Sequence, residues 1–398
     1  MKITSRWFLL LGVALAVSTT PAAAQETIKL GMSVPMSGAA AIWGPQTKWL
    51  CDRAAQEIRE SGGIKVGDVT YDFECLAYDN KYNAADGAKV AQTLINRDKV
   101  KFISQAIGTA PVRALQSISE RNGVIMFTVA WGMSLKGPKF PLTFTQMNTP
   151  FELFKPLLTY VKGAHPDIKT VVLLNPNDAS GQELEPVNRK VWEDLGVKVL
   201  TSDWYERGTT EFQPAAAKLA ALNPDAIDLG GTPPGEAGTI FKELELLGWK
   251  GVKLNLTGTT AEAVVATGGD AANGVYMGAA IPTDGESVTE AQKSLNDELV
   301  RVTGEPVSGV IIGAYDAPFA LKAAIEKAQS IDPAVVAKAI PEITFPSFYG
   351  KAAYGGAATY GLPQQMLIPV IVTQIQNRKL VEVSRLIPEE LTERLKSD

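Results

Sequence analysis

The sequence predicts an α/β protein made of two doubly wound parallel-sheet lobes joined by a three-segment hinge. Short β-rich runs alternate with amphipathic helical stretches through most of the chain, the pattern that builds parallel sheets covered by helices on both faces. At 398 residues the chain holds more such units than one doubly wound sheet absorbs. The alternation also breaks at 141–148 (PLTFTQMN), at 281–285 (IPTDG) and over 342–361, which is rich in Pro, Gly and aromatics. Three breaks imply three passages between lobes, and so a hinge and a cleft. The expected division is 25–146 with 283–364 in the first lobe, and 147–282 with 365–398 in the second.

In the first lobe the pattern places strands at 27–34, 70–78, 100–107 and 124–129, separated by helices at 45–60, 84–97 and 112–121. Cys51, Ala54, Ala55 and Ile58 recur at helical spacing, whereas Tyr71, Phe73 and Cys75 alternate as on one face of a strand. The second lobe reads as helix 150–162, strand 170–175, helix 181–195, strand 197–204, helix 212–222, strand 226–230, helix 235–247, and strands 252–256 and 274–280. Helices at 290–303 and 308–325 and a last strand at 366–376 complete the chain.

Residues 1–24 stand apart. Lys2 and Arg6 precede an apolar run of 11 residues, Trp7 to Val17, followed by Ala22, Ala23 and Ala24. That is the layout of a secretory signal with a small-residue cleavage site, and the run is about half of the ~20 residues a membrane span needs. The mature chain is expected to start near Gln25, outside the inner membrane. No cysteine follows the run to carry a lipid anchor. Export permits disulfides, so Cys51 and Cys75, the only two cysteines, are read as a bridge between the first helix and the strand at 70–78. Their separation is too wide for the common redox and metal pairings.

Composition removes several function classes. Net charge is −5, or −7 without Lys2 and Arg6, and no basic run interleaves with aromatics, so nucleic acid is not an expected partner. A single histidine, His165, excludes paired-His metal sites, and no metal or other cofactor is expected. Neither a G-x-G-x-x-G turn, a Walker loop, a G-x-S-x-G elbow nor a C-x-x-C occurs, so no enzyme activity is expected. Asn255-Leu256-Thr257 fits a glycosylation pattern but overlaps a strand end, and is read as structural.

The first junction carries a distinctive run. LGMSVPMSGAAAIWG (30–44), a helix ending in Ala54-Ala55-Gln56-Glu57-Ile58, and GGIKVGDVTYDFECLAYDN (62–80) resemble, in order, the leucine/isoleucine/valine-binding protein family of ABC-transporter solute receptors. The likeness continues less sharply at 107–109, 123–131, 230–231, 268–278 and 313–315. It implies a type I periplasmic binding protein, whose two lobes close on a small organic solute and deliver it to an ABC permease in the inner membrane. A monomer in the periplasm is expected.

Carried over by position, Trp43 is the aromatic lying over the ligand and Thr109 the hydroxyl that meets its carboxylate. Ala130, Trp131 and Gly132 form the strip beside it, and Tyr315 is a further contact. Ser180, Thr232, Thr257 and Thr259 come from the second lobe. Thr109 also has a physical rationale, since a helix N-terminus presents unpartnered N–H groups to an anion. One departure matters. Amino-acid-binding members present a second-lobe acid to the ligand ammonium near 254–263, where this chain has Thr257, Thr259 and Thr260, with only Glu262 acidic and out of register. A buried ammonium without a counter-charge costs several kcal/mol. An aromatic or apolar carboxylate, or an amide, is therefore expected ahead of a branched-chain amino acid. The alternative role is a secreted sensor that reports to a membrane receptor.

Overall fold

The computed structural model describes residues 25–396; the expected signal segment 1–24 lies outside them. The strands are β1 (Gln25–Val34), β2 (Ile64–Val66), β3 (Val69–Asp79), β4 (Phe102–Ala106), β5 (Ile125–Thr128), β6 (Thr143–Thr145), β7 (Thr170–Pro176), β8 (Lys198–Tyr205), β9 (Ala226–Asp228), β10 (Val252–Asn255), β11 (Tyr276–Met277), β12 (Thr344–Ser347), β13 (Gly350–Gly355), β14 (Gln365–Leu367), β15 (Val370–Gln376) and β16 (Lys379–Leu386). They form two sheets, ordered β12-β13-β14-β6-β5-β4-β1-β3-β2 and β16-β15-β11-β10-β9-β7-β8. The centre of each is parallel, as the alternation predicts. The edges are not. β2–β3, β12–β13 and β15–β16 are antiparallel because tight turns rather than crossover helices connect them, and β15 and β14 also lie antiparallel to β11 and β13.

Burial explains the central strands. Every residue of β4 and β5 is buried, as expected for strands covered on both faces by helices. Helix Pro45–Glu60 starts on Pro45, whose missing N–H costs nothing at that position, and buries Leu50, Cys51, Ala54, Ala55 and Ile58 against the first sheet. The Cys51–Cys75 disulfide joins this helix to β3.

Three expected boundaries differ. The segment 141–148, expected as a break, contains β6, which pairs with β5 and extends the first sheet. The irregular stretch 342–361 is a hairpin of β12 and β13, with Phe345 and Tyr354 stacked at 5.8 Å. The single strand expected at 366–376 is two strands in different sheets. β14 stays in the first sheet beside β13 and β6, and Pro369, which has no N–H to donate, separates it from β15 in the second. The segment 365–398, expected wholly in the second lobe, is thus divided. After β16 the helix Glu389–Lys396 returns to the first lobe, where Leu391 is buried with Ala353 and Leu367, and Glu390 accepts the Gly356 N–H at 3.0 Å. Among the described residues the chain passes between the lobes near 147, 281, 369 and 388.

Side chains knit the passages together. Asn148 donates to the Pro369 carbonyl at 2.9 Å, and Gln365 to the Met147 carbonyl at 2.7 Å. Lys136 is buried beside them, donating to Gln365 at 2.8 Å and Thr149 at 3.2 Å, and burial pulls its pKa down to about 8.

Two predictions follow from this packing. Replacing both cysteines by alanine opens a covalent loop spanning 24 positions and is expected to lower the unfolding free energy by about 3 kcal/mol in a denaturant titration. Asp316 is fully buried, accepts the Phe348 N–H at 2.7 Å with one oxygen and has no partner for the other; burial raises its pKa to about 7. The folded state therefore favours the protonated acid, and the stability this provides is present at low pH and lost as pH rises from about 4 through 7. Asp316→Asn keeps the acceptor and removes the ionisation. Its melting temperature is expected to exceed that of the unsubstituted protein more at pH 8 than at pH 5, by on the order of 1–3 kcal/mol of stability.

Candidate functional site

The carboxyl ends of the parallel strands of the two sheets face one another, the position where α/β sheets bind ligands. From the first sheet come the loop after β1 carrying Trp43, the turn after β3 carrying Tyr82, and the ends of β4 and β5 carrying Thr109, Ala130 and Trp131. From the second come Ser180 after β7, Arg207 after β8, Thr232 after β9 and Thr259 after β10. A narrow cavity between them is lined by Trp43, Tyr82, Ile107, Gly108, Thr109, Val129, Ala130, Trp131, Ser180 and Val310.

Local sequence fixes each wall. Asp79, at the end of β3, accepts the N–H groups of Met36 and Lys81 and the Ser37 hydroxyl, tying the Pro-Met-Ser-Gly loop to the turn that follows β3. Those hydrogen bonds outweigh its burial and hold its carboxyl below the usual range. Asn80 is buried, donating to the Ser33 and Ile107 carbonyls and accepting the Tyr82 N–H at 2.8 Å. It thereby holds Lys81 and Tyr82 at φ of 47° and 57°, a left-handed conformation that costs a non-glycine residue about 1 kcal/mol or more. Gly108 has φ of 94°, and a Cβ there would lie 2.8 Å from the Tyr82 ring, so only glycine lets strand β4 turn into the helix Thr109–Ser119 beside that ring.

The lobes meet through side chains across this cavity. The Trp43 indole N–H donates to Thr259 at 3.2 Å, and the Ser180 hydroxyl donates to Thr109 at 2.9 Å. Tyr82 and Ser180 hydroxyls lie 3.3 Å apart, and burial pushes the Tyr82 phenol up. At the rim Arg113 pairs with Glu183, which also accepts the Ser134 N–H and hydroxyl. Arg207 packs on two walls of this cavity without lining it, its guanidinium carbon 5.0 Å from the Tyr82 ring centre and 5.9 Å from that of Trp43. Its Nε–H donates to Asp178 at 2.5 Å, while both terminal nitrogens are buried without an acceptor.

Of the sequence-predicted residues, Trp43, Thr109, Ala130, Trp131 and Ser180 line the cavity together and Thr259 touches it through Trp43. Gly132 backs the wall, where a Cβ would press on Thr109 at 2.7 Å. Thr232 and Thr257 are buried in the turns beneath, Thr257 spending its hydroxyl on the Gly230 carbonyl at 2.8 Å, and neither lines the cavity. Ala130 uses its N–H on Thr128, so that part of the expected strip is already engaged. Thr109 is inside its helix rather than capping it; Gly108 takes the cap position. Tyr315 is displaced from the cleft altogether. Its hydroxyl donates to Glu57 at 2.7 Å and its ring packs on Phe319, because the helical turn points it at helix Pro45–Glu60. The segment reaches the cavity five residues earlier, at Val310. Tyr82 and Arg207 were missed, although both occupy loops just beyond strand ends, where ligand contacts are expected.

The sequence profile described as periplasmic binding protein matches residues 27–377. A leucine-, isoleucine-, valine-, threonine- and alanine-binding protein of Pseudomonas aeruginosa is 25% identical over 351 residues, covering 88% of this chain and 91% of its own. Among solved structures, a leucine binding protein from Thermotoga maritima superposes with a TM-score of 0.75 at 20% identity, covering 92% of this chain and all of its own. An ABC-transporter solute binding protein of R. palustris, in complex with benzoate, does so at 0.75 and 17% identity, over 91% of this chain and 97% of its own. These structures share the two-lobed fold. With most of its length matched by the family profile, the chain belongs to the periplasmic binding protein family.

Proposed function

We propose that this protein is the periplasmic solute receptor of an ABC uptake system, that its cleft takes a small aromatic or apolar carboxylate, and that it hands the solute to an inner-membrane permease. The observation that carries the reading is the cavity lined by three aromatic side chains and shut by hydrogen bonds from one lobe to the other, Trp43 to Thr259 and Ser180 to Thr109. Closure of this kind excludes water and is populated in proportion to the solute's preference for the closed state. No covalent step is part of it.

The acids near the cleft support a ligand without an ammonium group. Asp178 is engaged by Arg207 and the N–H groups of Ser180 and Gly181, Glu183 by Arg113 and Ser134, and Glu236 by the Tyr205 hydroxyl and the Gly208 N–H. Asp228 accepts from Trp192, Asn188 and Gly230. An ammonium beside any of these four would meet a carboxylate that already has partners. A branched-chain amino acid is the second reading, favoured by the named specificity of the Pseudomonas aeruginosa relative.

Calorimetric titration with benzoate, phenylacetate, short aliphatic acids, amides and leucine, with X-ray scattering of the same samples, tests the function. One solute class is expected to bind and reduce the radius of gyration; a protein that none of them binds or contracts refutes the proposal. Trp43→Ala is expected to weaken binding of that solute at least tenfold, because it removes both ring contact and the indole bond to Thr259. Unchanged affinity would take Trp43 out of the site.

A further inference from the structure

We infer that Arg207 makes closure of the cleft conditional on an anion, so that the protein closes on the ionised form of a planar aromatic acid and not on the matching amide. The inference rests on the receptor reading above and names the group that selects its ligand. Arg207 follows β8 in the second lobe, with a side chain only 10% exposed. The rings that cover its guanidinium, Tyr82 and Trp43, belong to the first lobe. Its desolvation is thus a consequence of the lobes coming together.

Guanidinium carries five N–H donors in a fixed plane. One, on Nε, is used by Asp178, and the four on the terminal nitrogens have no acceptor. The two rings attract the cation but supply no lone pairs in its plane. An arginine buried in that state opposes the closed arrangement. The unoccupied end-on edge is the one that receives both oxygens of a carboxylate, and such an anion would turn the opposition into attraction. A primary amide cannot replace it, since its NH₂ group would face guanidinium donors. An amino acid oriented the same way would bring a second cation into a cleft where Asp178 is already paired with the guanidinium.

Thr109, the hydroxyl expected to meet the carboxylate, already accepts from Ser180 at 2.9 Å, and the Tyr82 hydroxyl lies 3.3 Å from Ser180. The cation facing the cavity walls comes from the second lobe, at Arg207. The first lobe supplies the aromatic wall, with Trp43, Tyr82 and Trp131 around the same cavity. An aryl acid meets both requirements at once.

The test compares benzoate and 4-hydroxybenzoate with benzamide and 4-hydroxybenzamide on the full mature protein, reading affinity by calorimetry and closure by X-ray scattering. At least one acid is expected to bind and contract the protein, and its amide to bind at least 100-fold more weakly without contraction. Arg207→Gln is expected to lose at least 100-fold in affinity for that acid while its ligand-free melting temperature does not fall. Arg207→Lys, which keeps the charge but not the fork, should recover about tenfold of that loss. Equal contraction by acid and amide overturns the inference, and that comparison needs no variant. So does a folded Arg207→Gln protein that binds the acid within threefold of the unsubstituted one. Binding of leucine with neither acid bound overturns the inference and leaves the receptor reading standing. A protein that binds none of these solutes overturns both.

Discussion

Two parallel sheets set with their carboxyl strand ends opposed leave a cleft walled by loops and helix N-termini, and those loops are rich in polar groups that need partners once water is expelled. The rest of this structure answers that constraint. Trp43 finds Thr259, Ser180 finds Thr109, and Asp178 caps the helix Ala179–Asp194 while holding Arg207. Buried donors cost more when unmet than they return when met, so the few left over matter most. The terminal nitrogens of Arg207 are the largest such remainder in the cleft.

The walls are rigid for reasons that lie one layer back. Asn80 spends its amide on two carbonyls of neighbouring strands and its oxygen on the Tyr82 N–H, so the strained turn holding that ring is fixed from the sheet beneath. Asp79 does the same for the loop leading to Trp43. In the second lobe Asn255 and Thr257 bond the Thr232 and Gly230 carbonyls and shape the floor without reaching the cavity. Polar residues at strand ends thus divide into those that meet the solute space and those that hold the loops, and sequence position does not separate the two.

That division explains which site residues were legible. Trp43, Thr109, Ala130, Trp131 and Ser180 follow strand ends in a run of family-like spacing, and they come together around the cavity. Thr232 and Thr257 have the same kind of position, yet both are buried away from the cavity, Thr257 with its hydroxyl on the Gly230 carbonyl. Tyr315 failed because a residue inside a helix points where the helical period sends it, here toward Glu57. Arg207 was silent in the sequence because an arginine after a strand is ordinarily a solvated surface group, and the rings that cover it here come from the opposite lobe.

By itself the sequence determined what depends on local pattern. Alternating strands and helices, the apolar faces of helix Pro45–Glu60 and strand β3 and the two-lobed class follow from local pattern, and the bridge between that helix and strand follows from there being only two cysteines in an exported chain. Tertiary structure decided what depends on partners far apart in the chain. It assigned β14 and β15 to different sheets across Pro369, returned the last helix to the first lobe, and buried Arg207 under Tyr82 and Trp43. The reason is physical: strand pairing and desolvation are energies of contact between segments that are not neighbours along the chain, and neither leaves a period in the residues that make it.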